Sequence, residues 1–237
     1  MVVKTTPDKN FGAQEKLIEK IRSRRKKYTT IVNGKMYVVY PDVFSPHYVL
    51  DSAFYAKHLP NQKGKTLLEV GSGVGLLAIT AAFQGAKAVT AVDINPHAVK
   101  NTLENAKRHK VDAVVTAYRS DIFKNIPRGQ KFDSIIWNVP WGDFGGNKRL
   151  NLIQVAFYDP GYRLLGRFIS QAPKYLKPKG KLFIGFSTSI GSREVLEKFL
   201  EKAGFSWRIA VRGRFSTGHP AGAINIETFE AKIKRRR

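Results

Sequence analysis

The sequence predicts an α/β chain organised as a doubly wound, largely parallel sheet, and three observations point there. From Lys65 onward, apolar runs of strand length alternate with helix-length amphipathic segments, the pattern of successive βα units. The first unit passes from strand to helix through Glu69-Val70-Gly71-Ser72-Gly73-Val74-Gly75. Acidic residues then punctuate the strands: Glu69 before the glycine turn, Asp93 after the next apolar run and Asp121 after the third. Ligands of open parallel sheets bind at those carboxyl ends.

Taken in order, residues 1–12 carry no periodicity, whereas Gln14 to Lys27 place Leu17, Ile18 and Ile21 on one side of a basic amphipathic helix. Tyr28 to Tyr40 alternate apolar and polar residues about Asn33-Gly34, a dipeptide suited to a two-residue hairpin turn because both positions tolerate positive φ. Pro41 has no N–H for a ladder and ends the hairpin, so 41–46 reads as a loop before an apolar helix from Tyr48 to His58. The alternation that follows gives strand 66–70, helix 75–84, strand 87–92, helix 96–110, strand 113–118 and strand 132–138. It continues as helix 161–176, strand 181–186, helix 191–203, strand 206–212 and a last apolar run from Ala223 to Ile233. Two regions result: 1–60, holding a helix, a hairpin and a loop, and 61–237, holding the sheet.

A chain with 43% hydrophobic and 11% aromatic residues can bury a full core. It has no cysteine, which excludes disulfides and thiolate metal sites, and the five histidines show no ligand spacing, so no metal is expected. No apolar run approaches the roughly 20 residues that span a bilayer. The first six residues lack the apolar segment of a signal peptide, and a cytoplasmic protein is expected. The net charge of +23, from 41 Lys plus Arg against 18 Asp plus Glu, points to a polyanionic partner, RNA or the ribosome. Two clusters, Arg22, Arg24, Arg25, Lys26 and Lys27 and then Lys232, Lys234, Arg235, Arg236 and Arg237, hold ten of these charges, and +13 remains elsewhere. A merely solvated basic surface is the plainer alternative.

The glycine turn decides the ligand class. A dinucleotide fingerprint wants its third glycine where this chain has Leu76. Glycines at 71, 73 and 75 behind an acidic residue instead resemble the first motif of class I S-adenosylmethionine-dependent methyltransferases. The resemblance implies a Rossmann-like seven-stranded sheet whose last strand is antiparallel, with S-adenosyl-L-methionine as cofactor. It places Glu69, Gly71, Ser72, Gly73 and Gly75 along the methionine part, Asp93 with Ile94 at the ribose hydroxyls, and Asp121 with Ile122 at the adenine. Taken singly, Asp93 is as well placed to cap the following helix, and Asp121 to cap a turn.

The strand 132–138 ends in Asn138-Val139-Pro140-Trp141, which resembles the Asn-Pro-Pro-Tyr motif of amino methyltransferases, with Val139 for the first proline and Trp141 for the tyrosine. A planar amine is a poor nucleophile because its lone pair is delocalised. Two acceptors, the Asn138 side-chain oxygen and the Val139 carbonyl, would hold its N–H bonds and aim the lone pair at a sulfonium methyl, while Trp141 stacks on the substrate. Over residues 40–205 the chain is similar to the methyltransferase small-domain superfamily, which includes HemK-type glutamine methyltransferases and ribosomal RNA guanine amino-methyltransferases. There the front loop covers the cofactor, making Phe44 and Ser45 candidate contacts.

These readings favour an RNA amino-methyltransferase acting on an exocyclic base amine. The alternatives are a HemK-type protein glutamine methyltransferase, an enzyme acting on a small amine or amide, and a basic binding protein that has lost turnover. Arg214 and His219, near the last two strands, are weaker candidates for substrate contact.

Overall fold

The computed structural model describes residues 11–49, 51–143, 149–215 and 223–234. His219 and Arg235 to Arg237 lie outside them.

The described residues begin with α1 (Phe11–Ser23) and a two-stranded hairpin, β1 (Tyr28–Val32) and β2 (Lys35–Val39). Asn33 and Gly34 turn the hairpin at φ 48° and 74°, the left-handed geometry that this dipeptide favours. The short α2 (Asp51–Lys57) precedes the sheet. Then follow β3 (Thr66–Val70), α3 (Leu76–Phe83), β4 (Ala88–Asp93), α4 (Pro96–Arg108), β5 (Val115–Arg119) and β6 (Phe132–Asn138). The second half supplies α5 (Arg163–Gln171), β7 (Leu176–Phe186), α6 (Arg193–Lys202), β8 (Phe205–Phe215) and β9 (Ile224–Ile233).

The seven strands order as β5-β4-β3-β6-β7-β9-β8. All neighbours are parallel except β9, which runs antiparallel to both β7 and β8, as the sequence resemblance implies. The strand order reverses between β3 and β6, so the helices diverge there and leave a crevice at the carboxyl ends.

Boundaries shift where tertiary packing overrides local pattern. α1 stops at Ser23, short of Lys27; beyond it, on the surface, Arg24 donates to the Tyr48 hydroxyl at 2.6 Å and Lys27 pairs with Glu104 at 2.7 Å. Part of the first basic cluster is therefore engaged within the protein. The helix expected over 48–58 reduces to α2, and the strand expected over 181–186 lengthens to begin at Leu176.

The hairpin is not an appendage. Two fully buried asparagines of α4 hold its inner edge: Asn105 Oδ1 accepts from Val38 N at 2.8 Å, Asn101 Oδ1 accepts from Tyr40 N at 2.9 Å, and both side-chain amides donate to Val38 O. Buried backbone groups left without partners would cost about 1–3 kcal/mol each. Val32, Tyr37 and Val39 consequently join the same apolar core as Leu67, Leu68, Ile135 and Leu182 of the sheet.

Candidate active site

A cavity of about 270 Å³ lies at the carboxyl ends of β3, β4 and β6, lined by residues of all three. The glycine turn forms its floor. Gly71, Gly73 and Gly75 have φ of 66°, 55° and 81°, so the turn curls through left-handed conformations open to glycine at little cost. At Gly71 the space is closed as well: a Cβ would stand 2.6 Å from Trp137 Nε1. Gly71, Ser72 and Gly73 line the cavity, whereas Gly75 lies behind it against Thr102 of α4.

Asp93 ends β4 with both oxygens engaged on one side: Oδ2 accepts from Gly73 N at 3.0 Å and Oδ1 from Asn95 N at 2.9 Å. It clasps the glycine turn, and Asn95, accepting from His97 N, is the residue that caps α4. A carboxylate oxygen accepts more than one hydrogen bond, so Asp93 retains capacity toward the cavity it lines. Glu69 is 2% exposed and its Oε2 accepts from Ala78 N at 2.9 Å, at the amino end of α3 where a negative charge is favoured. Burial nonetheless pushes its pKa well above the carboxylate range, and raises that of Asp93.

Asp121 and Ile122 line the cavity beside β5. Ile122 adopts φ 52°, a conformation that a β-branched side chain enters only under constraint. Ser120 supplies that constraint, since its hydroxyl donates to Ile122 O at 2.9 Å and accepts from Asn125 N at 3.0 Å. Backbone strain of this kind costs on the order of 1–3 kcal/mol and concentrates at ligand sites. Asp121 pairs with Arg167 of α5 at 2.8 Å in a partly exposed ion pair, a contact of about 0–1 kcal/mol that a ligand can displace.

Of the front-loop residues, Phe44 lines the cavity and Ser45 does not: fully buried, Ser45 hydrogen-bonds the Tyr28 hydroxyl and accepts from His47 N. Phe44 stands 5.1 Å from Phe157, ring centre to ring centre, which closes one side of the cavity.

Asn138, Val139, Pro140 and Trp141 all line the cavity at the end of β6. Asn138 Nδ2 donates to Asp51 Oδ2 at 2.9 Å, and Asp51 Oδ1 in turn accepts from Ser52 N at 2.6 Å. Because the carboxylate takes the amide's nitrogen, the Asn138 oxygen is the end left over. It is buried and meets no partner among the described residues. Sequence reasoning missed Asp51, whose segment reads only as an apolar helix; an acidic residue inside that run was the available signal. Burial raises the Asp51 pKa, against the opposing hydrogen bonds from Asn138 and Ser52.

The cavity's electrostatics invert those of the chain. Asp42, Asp51, Glu69, Asp93 and Asp121 line it, with no lysine, arginine or histidine among its described lining residues, although basic residues outnumber acidic ones 41 to 18 in the sequence. Such a pocket suits a cation with hydrogen-bond donors, and a sulfonium nucleoside carrying hydroxyls and an amino group is that. The residues present fit S-adenosylmethionine.

Comparison with known sequences agrees: the family model described as methyltransferase small domain matches residues 35–208. The chain belongs to that family. This methyltransferase small-domain protein is therefore an S-adenosylmethionine-dependent methyltransferase. It is 35% identical over 184 residues to a Methanocaldococcus jannaschii protein described as "Putative protein N5-glutamine methyltransferase", covering 76% of this chain and 90% of that one. It is 30% identical over 175 residues to the release factor glutamine methyltransferase of Aquifex aeolicus, covering 67% and 62%. Among solved structures, Trm5 of Methanocaldococcus jannaschii in complex with adenosine superposes with a TM-score of 0.63 at 20% identity, over 90% of this chain and 58% of that one, a likeness of fold.

Proposed function

We propose that this methyltransferase acts on the side-chain amide nitrogen of a glutamine in a protein acceptor. The observation that carries this reading is Asn138, which lines the cavity at the end of β6 with its amide held by Asp51. A carboxamide nitrogen is planar and weakly nucleophilic. What a site contributes is alignment, by holding the N–H bonds, and exclusion of water. The two similar glutamine methyltransferases support a carboxamide over a base amine, and they reverse the order of substrates favoured by charge alone.

When bound, S-adenosylmethionine would supply an electrophilic methyl group on a positively charged sulfur. Asp93, with Ile94 beside it, would hold the ribose hydroxyls, and Asp121 with Ile122 the adenine. Gly71, Ser72 and Gly73 would hold the amino-acid part, Gly75 sets the turn, and Phe44 would cover the nucleoside. Glu69 acts from beneath by fixing the start of α3, and Ser45 by holding the front loop. At the acceptor end, Asn138 and the Val139 carbonyl orient the nitrogen, Pro140 stiffens the turn, and Trp141 bounds the amide plane. No side chain has to remove a proton beforehand, because transfer of the methyl leaves nitrogen positive and the proton then passes to water.

The test is incubation with labelled donor of separate protein and RNA fractions, followed by mass spectrometry of the labelled species. A protein gaining one methyl on a glutamine side chain supports the reading. Label confined to RNA overturns it in favour of an exocyclic base amine, the outcome that the +23 charge would then explain.

A further inference from the structure

The acidic cavity lies at the carboxyl ends of the strands, and the opposite end of the sheet carries the reverse charge. Lys87 directly precedes β4, Lys65 precedes β3 and Lys131 precedes β6. β7 carries Lys177, Lys179 and Lys181 close to its start. β9 runs the other way and brings its last residues to the same end, where Lys232 lies in the strand and Lys234 follows it. Lys202 closes α6 just before β8 begins.

Strand pairing makes these positions neighbours. Lys87 N donates to Lys65 O at 2.8 Å, Leu67 lies opposite Ser134, Phe132 opposite Leu176, Leu182 opposite Ala231, and Lys234 N donates to Gly204 O at 2.8 Å. Because β4, β3, β6, β7, β9 and β8 are consecutive in the sheet, a lysine stands at or beside the same end of six adjacent strands. At about 4.8 Å between strands the row is roughly 24 Å long.

The strand carboxylates at that end are already engaged: Asp133 pairs with Lys177 at 2.8 Å, and Glu230 with Lys181 at 2.7 Å and Arg208 at 2.8 Å. Lys87, Lys131, Lys179 and Lys234 are exposed, and among the described residues none of their ammonium groups has an ion-pair partner. Lys179 holds φ 68°, a conformation open to glycine at little cost, so the chain keeps a lysine where the backbone favours another residue. Complementing a helix dipole accounts for Lys202 but not for lysines that precede strands.

We infer that this row is a docking surface for the phosphodiester backbone of a nucleic acid. Lysine ammonium groups meet phosphates as point charges without reading bases, and their placement at the strand spacing along one line suits a ligand of repeated negative charge. The five carboxylates around the cavity repel that same ligand, which is therefore held at the pole away from the donor. The positive charge then serves docking rather than the choice of methylated atom, and it is compatible with a protein acceptor.

The test titrates the full chain into a fluorescein-labelled RNA duplex, and separately into a DNA duplex of the same sequence, by fluorescence anisotropy over a range of salt. The row variant combines Lys87→Gln, Lys131→Gln, Lys179→Gln and Lys234→Gln. A control of equal charge combines Lys16→Gln, Lys57→Gln, Lys100→Gln and Lys124→Gln, exposed lysines away from the row. RNA affinity should fall about tenfold or more in the row variant, with the slope of log affinity against log salt shallower by about 3, and by about twofold at most in the control. S-adenosylhomocysteine should bind equally with and without RNA, and urea unfolding checks that both variants fold. The tighter-bound duplex names the source of the backbone, and equal affinity leaves the backbone itself as the ligand. Equal losses in the two variants, RNA that displaces S-adenosylhomocysteine, or an affinity indifferent to salt each overturn the inference. Poly-L-glutamate that competes as well as unlabelled duplex at equal charge overturns it in favour of an acidic protein. Methyl label found on RNA would overturn the glutamine reading alone, and the row would still be judged by these two variants.

Discussion

Asn138 at the end of β6 and Asp51 at the start of α2 meet at 2.9 Å, nitrogen to oxygen, and the contact fixes which end of the asparagine amide faces away from the carboxylate. An amide is nearly symmetric in shape, so packing alone cannot orient it. A buried carboxylate, which only accepts when ionised, selects the nitrogen.

Replacing Asp51 with alanine or asparagine should therefore act through Asn138. In Asp51→Asn the partner can donate as well as accept, and the Asn138 amide loses its preferred orientation. A fall in kcat of about 10²-fold is expected, the size of effect that small misplacements produce, with donor Kd within a few-fold. Asn138→Ala should lose at least as much. Donor binding measured by calorimetry alongside single-turnover rates checks both, and a large loss of donor affinity instead would remove Asn138 and Asp51 from the acceptor side.

The same pair predicts an acid limb. Burial raises the Asp51 pKa, so as pH falls its carboxylate protonates sooner than an ordinary aspartate. Once protonated it donates, competes for the Asn138 oxygen and ends the orientation. At saturating donor, kcat should fall with decreasing pH through that raised value, and Asp51→Ala should flatten the limb. Glu69 and Asp93, also raised by burial, lie at the glycine turn and should appear in donor Kd. A kcat profile unchanged in Asp51→Ala would show that the limb belongs to another group.

Ser120 holds Ile122 at φ 52° from two sides. Ser120→Ala removes both hydrogen bonds and lets the strained turn relax away from the cavity, so donor Kd should rise several-fold. Stability should fall by about 1 kcal/mol or somewhat more, the usual worth of such bonds. Equilibrium binding of S-adenosylhomocysteine and urea unfolding measure the two effects separately.

Gly71→Ala combines a left-handed backbone with a Cβ 2.6 Å from Trp137 Nε1. The conformational part alone costs about 1–2 kcal/mol, and the indole must also shift. Reduced stability in urea and donor affinity at least tenfold weaker are expected. Gly129→Ala, with φ 81° but open space, is the control that isolates the backbone cost.

Much of the cavity lining was legible because its signals are local. The glycine turn follows β3, Asp93 ends β4, Asp121 follows β5 within two residues, and Asn138 ends β6, so finding the strands finds the residues that line the cavity. The hairpin was legible for the same reason, since Asn33-Gly34 writes its own turn. Ser45 and Gly75 show the limit of this reasoning: adjacent in sequence to lining residues, they support the cavity from behind, Ser45 held by Tyr28 and Gly75 packed on Thr102.

The order of strands and helices, the class of fold and the glycine turn were determined by the sequence itself, through hydrophobic periodicity and the few residues that tolerate positive φ. Tertiary structure alone decided the rest. It brought Asp51 to Asn138 across 87 residues, packed α1 against the cavity with Gln14 in its lining, and gathered five carboxylates around that cavity in a chain carrying +23. Charge and periodicity are sums along the chain, whereas the orientation of an amide or the sign of a pocket depends on which distant side chains share a few ångströms of space.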